Sequence, residues 1–186
     1  AADAPDPEVG EPKNKPKPNE IMRELATELK KLSAPGPLGI SDEACNQLEN
    51  YLAAVCAGKT ANVYVKKTPK ADEIERCLQV AESTELMWHI AEKIANLQPE
   101  TRRIVSAIWG YLLKMEHPKS FQRPMAEYIA KHTTAVDLLL KSYGTNGGGC
   151  DVTIGVMIRD ATRFQKIVEY IYQNDGIFPL FEILTS

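Results

Sequence analysis

The feature that most limits what this chain can fold into is the repetition of helical segments along it. Glu127-Tyr-Ile and Glu169-Tyr-Ile are identical triplets 42 residues apart, and at the same offset Val136, Leu138 and Leu139 align with Phe178, Leu180 and Phe181. An offset of 49 relates a longer helical segment beginning at Thr101 to one beginning at Cys150, the surplus being absorbed by Gly144-Thr-Asn-Gly-Gly-Gly. Within it Val105, Ile108, Trp109 and Leu112 become Ile154, Met157, Ile158 and Ala161. At about 100° per residue these positions share one apolar stripe. The opposite face recurs too: Arg103, Gly110 and Lys114 become Val152, Arg159 and Arg163. A period of ~40 to 47 residues in helical sequence marks armadillo or HEAT units, in which stacked neighbours supply the core that no single unit can bury.

The spacing predicts an all-α, armadillo/HEAT-like right-handed α-solenoid of three-helix repeats, truncated in the third. Residues 1–19 hold five of the twelve prolines and no large apolar residue except Val9, so a disordered tail is expected there. Capping helices are expected over 20–58. Ile21, Leu25, Leu29 and Leu32 line the first, and Ser41 supplies the N-cap of a second that carries Leu48, Leu52 and Val55. A loop or short extended piece around Val63-Tyr-Val follows. Repeat one is placed at 71–115, repeat two at 123–163, and an incomplete repeat three at 164–186, with breaks at Pro99, His117-Pro118, Pro124, Gly144 to Gly149 and Gly176. Phe178, Leu180, Phe181, Ile183 and Leu184 would lack a covering neighbour, which predicts self-association through that end.

Composition removes several functions. The chain has 22 Lys and Arg against 25 Asp and Glu, without the basic excess of a dedicated nucleic-acid module. Its apolar runs are well short of the ~20 residues that cross a bilayer, and its start has no secretory pattern, so no membrane contact and a cytoplasmic location are expected. Cys45, Cys56, Cys77 and Cys150 are widely spaced, with no CxxC pair and no histidine at zinc-ligand spacing, and read as reduced, mostly buried thiols.

Two stretches carry a family likeness. Pro124-Met-Ala-Glu-Tyr-Ile through Asp137-Leu-Leu-Leu-Lys-Ser-Tyr, followed by Gly155-Val-Met-Ile-Arg-Asp-Ala-Thr-Arg, resembles the calcium-binding protein 39 family, also called mouse protein 25. Arg102-Arg-Ile-Val-Ser-Ala-Ile-Trp-Gly-Tyr-Leu-Leu-Lys is similar to that family's first long inner helix, and the likeness spans roughly Asn19 to Ser186. The resemblance implies a scaffold without catalytic activity or cofactor. It would hold a sterile-twenty-type or germinal-centre-type kinase or pseudokinase in its active conformation on the concave face. It also implies that the third helix of each unit lines that face, which makes Arg103, Gly110, Lys114, Val152, Arg159 and Arg163 the candidate partner-binding residues. The chain departs from the family in reading Phe164-Gln-Lys after the second inner helix and in its expanded Gly-rich connection. The family's pocket for the pseudokinase C-terminal tail belongs to the other half of a typical member, so binding of that peptide is not expected here.

Sharper chemical readings are weaker. The Gly-rich stretch lacks the Gly-Lys-Ser/Thr ending of a P-loop and follows a helix rather than a strand. No EF-hand loop is present, so no metal is expected. His89, His117 and His132 lie far in sequence from any activated nucleophile, and Trp88 and Trp109 read as core. The alternatives to a kinase scaffold are a generic armadillo module with an unrelated peptide partner and, from another class, a small helical hydrolase or transferase.

Overall fold

Proline or a side-chain cap sets where four of the described helices begin. The computed structural model describes residues 16–57, 69–144 and 149–174. In it α1 (Pro18–Lys31), α5 (Pro99–Lys114) and α6 (Pro124–Lys131) each begin on a proline. A first-turn proline gives up an N–H that has no partner in any case, and its fixed φ already suits the helix. Hence α1 starts two residues ahead of the Glu20 at which the periodicity becomes visible. Likewise α5 starts at Pro99, which the sequence presents as a break, and not at Thr101. Ser41 caps α2 (Asp42–Ala57): its Oγ accepts from the Ala44 N–H at 3.2 Å.

The remaining helices are α3 (Ala71–Ser83), α4 (Leu86–Lys93), α7 (Thr134–Ser142), α8 (Asp151–Ala161) and α9 (Gln165–Gln173), with a 3-10 turn at Ile94–Asn96. No strand occurs among the described residues; a single bridge joins Gly36 to Leu97. Residues 1–15, the Val63-Tyr-Val piece, residues 145–148 of the Gly-rich stretch and the apolar run from Phe178 to Leu184 lie outside the described residues.

The helices stack in ranks. One rank runs α2, α5, α8; a second runs α1, α4, α7; a third is formed by α3, α6 and α9. Each helix packs on its neighbours within the rank and on the rank behind, as in a helical-repeat solenoid. The apolar stripes supply the seams. Val105, Ile108, Trp109 and Leu112 of α5 are buried, as are Ile154, Met157, Ile158 and Ala161 of α8. Trp109, fully enclosed, donates its indole N–H to the Met157 carbonyl at 3.2 Å and so ties the two helices.

Polar ties fix how successive parts sit on one another. Arg102 of α5 donates to the carbonyls of Ile94 (3.2 Å), Ala95 (3.4 Å) and Leu97 (2.7 Å), and to that of Gly149 ahead of α8 (2.8 Å). The first three carbonyls lie in or just after the 3-10 turn, where helical partners run out, so one guanidinium satisfies the end of one element and anchors the approach to another. Tyr170 of α9 places its hydroxyl 2.9 and 2.8 Å from the two carboxylate oxygens of Asp137 on α7.

Candidate functional site

α5, the middle helix of the α2–α5–α8 rank, has neighbours on both flanks as well as behind it, so only a narrow strip of its surface is free. This decides the fate of the six residues singled out from the sequence. Arg103, Gly110, Lys114 and Val152 line one groove of about 410 Å³ between α5 and α8, together with Ala107, Tyr111, Val156 and Asp160. Arg163 lies around the end of α8 and lines a different cavity, of about 670 Å³, with Arg123, Ala126, Phe164 and Lys166 beside it. Arg159 is exposed on α8 and lines neither of these two cavities.

Gly110 differs from its sequence reading. It falls opposite the apolar stripe, yet it is buried, because that side of α5 faces the flank of α8. A Cβ built there would come 2.6 Å from Oδ2 of Asp160, so the absence of a side chain is what lets this carboxylate sit against α5. Val152, in contrast, is 80% exposed and forms the apolar mouth of the groove.

Three of the four cations are already paired. Arg103 donates to Oε1 of Glu100 at 3.1 Å from Nε and 2.9 Å from its terminal nitrogen, and lies 3.8 Å from Glu49 on α2. These contacts raise the Arg103 pKa and hold the Glu100 carboxyl below its usual range, the hydrogen bond being the main cause of both shifts. Burial pushes the Glu49 carboxyl upward, with Arg103 acting against it. Lys114 and Arg163 both approach Oδ1 of Asp160, each at 3.6 Å. Among the described residues Arg159 has no acidic partner.

Asp160 is the residue that reading the sequence missed. It is 6% exposed, and its Oδ1 accepts no hydrogen bond. The signal that could have found it is local: an aspartate three residues ahead of an arginine, one helical turn apart, in Arg159-Asp-Ala-Thr-Arg163.

Chemistry of other kinds finds little support. Among the described residues no group of three or more His, Cys, Asp or Glu could hold a metal ion. Burial pushes the Cys45 and Cys77 thiols up to about 12 and that of Cys56 up to about 11, far from the thiolate a nucleophile needs. No helix of the described residues is long and apolar enough to cross a membrane.

The groove and its paired cations are thus a feature of the α5–α8 seam. Comparison with curated proteins found no significant match. A family model described as Mo25-like matches residues 10–186. With nearly its whole length covered and an all-helical repeat architecture, the chain belongs to the Mo25-like family of scaffolds that bind protein partners.

Proposed function

We propose that this chain is a non-catalytic scaffold whose α2–α5–α8 rank is the concave wall that receives a protein kinase or pseudokinase of the sterile-twenty or germinal-centre type. The supporting observation is the groove between α5 and α8, an apolar opening at Val152 flanked by Arg103 and Lys114 on a stacked rank. Activation follows from differential affinity: the wall favours the active conformation only by as much as it binds that conformation more tightly. Kinase stimulation by the scaffold therefore needs no ATP hydrolysis by this chain, and the setting would be the cytoplasm.

The test is kinase activation by wild type and variants. Reversing Arg103 places a carboxylate beside Glu100 and Glu49 and disturbs the α2–α5 seam, so Arg159→Glu is the cleaner single probe. Arg159→Glu is expected to weaken activation by roughly fivefold, the scale of one exposed ion pair lost and a repulsion gained. Unchanged activation by both Arg159→Glu and the double variant with Arg103→Glu would remove these cations from the contact. If the wild-type protein captures no kinase or pseudokinase from cytosol, the kinase reading fails while the fold stands.

A further inference from the structure

We infer that Asp160 determines the specificity of the inner wall: by pairing with Lys114 and Arg163 it offsets the attraction they would exert on an acidic partner, so the wall accepts an aliphatic protein surface and selects against a densely acidic one. The inference rests on the reading of this rank as the partner-binding face and names the chemistry of what binds there.

Asp160 is enclosed at the seam between α5 and α8, with Oδ2 against the bare backbone of Gly110. Its Oδ1 has no hydrogen-bond donor and is approached by the Lys114 ammonium and the Arg163 guanidinium, each at 3.6 Å. That distance exceeds a hydrogen bond, so the pairing is electrostatic, and Lys114 also lies 5.9 Å over the Tyr111 ring. A carboxylate this deeply buried is costly to leave unpaired. An acidic partner that drew Lys114 and Arg163 outward would have to compensate for stripping Asp160, and gains correspondingly little from them.

The rest of the wall leads to the same conclusion. Arg103 is already shared between Glu100 and Glu49. Of the cations on the wall, Arg103, Lys114 and Arg159, together with Arg163 just past the end of α8, only Arg159 lacks an acidic partner among the described residues, the partners of the others being Glu49, Glu100 and Asp160. What the groove does offer is apolar: Val152 at its mouth, with Val156, Ala107 and the Tyr111 ring inside. The matching surface is one that inserts aliphatic side chains there and carries at most an isolated acidic group near Arg159.

The experiment measures binding of a fluorescein-labelled oligoglutamate peptide by polarisation at low and high salt, independently of any kinase. Wild type should bind it weakly. Asp160→Asn should bind it roughly tenfold tighter, the scale of two freed cations each forming an exposed ion pair, and the gain should vanish at high salt. Lys114→Gln in the wild-type background should leave binding within about twofold, because that cation is already committed. The inference is overturned if Asp160→Asn binds no tighter than wild type, or if Lys114→Gln weakens binding as much as Arg159→Glu does. Should Asp160→Asn fail to fold, as judged by its helical circular dichroism, the Lys114→Gln comparison alone decides. Failure of kinase capture alongside the expected peptide results would sink the kinase reading and leave the role of Asp160 intact.

Discussion

Replacing Arg102 tests how the ranks are joined. The bonds to Leu97 (2.7 Å) and Ile94 (3.2 Å) are partly buried and charge-assisted. Each contributes about 1.5 kcal/mol at the lower end of the range for such bonds. The exposed bond to Gly149 (2.8 Å) is discounted for solvent to about 0.5 kcal/mol, and the 3.4 Å contact with Ala95 is neglected. Arg102→Ala should therefore cost about 3.5 kcal/mol, a large share of the ~5–15 kcal/mol that holds a typical domain together. Arg102→Lys keeps the stem and the charge but not the planar fork that reaches several carbonyls at once, so it should recover no more than about half of the loss. The assay is urea unfolding followed by circular dichroism, with hydrogen exchange read at the start of α8. Both variants should speed exchange there, because the Gly149 anchor is shared by the two elements. A loss under about 0.5 kcal/mol for Arg102→Ala, or full rescue by lysine, would refute this account of the joint.

Two further outcomes follow from buried titratable groups. His89 on α4 is enclosed, its Nδ1 accepts or donates no hydrogen bond, and burial lowers its pKa, opposed by Glu92 and Glu85 and reinforced by Lys30 and Lys93. A histidine held neutral on folding takes up its proton more readily once unfolded, so its contribution to stability is present above the ordinary value of about 6.5 and is lost as pH falls below it. The urea midpoint of wild type should drop on acidification across that value, and His89→Gln should flatten the drop; equal slopes would exclude His89 as the cause. For Cys45, Cys56 and Cys77, burial and raised thiol pKa predict slow labelling by a thiol reagent in the native protein and rapid labelling in urea. A fast native reaction at any of the three would contradict their placement.

The all-helical solenoid was legible because its cause is periodic. Trp109 and Met157 recur in register with their own neighbours, and a stripe that repeats at a fixed offset needs no tertiary knowledge to be recognised as a seam. Helix starts were less legible: Pro18 and Pro99 look like breakers, and only the backbone shows that each occupies a first turn. The chemistry of the wall was least legible. Gly110, Arg103 and Lys114 do share a face of α5, but whether that face is open depends on α2 and α8 at its flanks. Nothing near Gly110 in the sequence announces that Asp160, fifty residues on, will occupy the space its missing side chain leaves. Burial of a charge is a property of the pair of helices and not of either one.

The ranked stacking also has a mechanical consequence. Each rank is a row of helices that meet the next in line, and the α2–α5–α8 and α1–α4–α7 rows are joined to each other across their width. Flexing such a strip to widen its radius must spread one wall while compressing the other. Small tilts at each joint would add along the length, so the curvature of the strip can change without breaking any single joint.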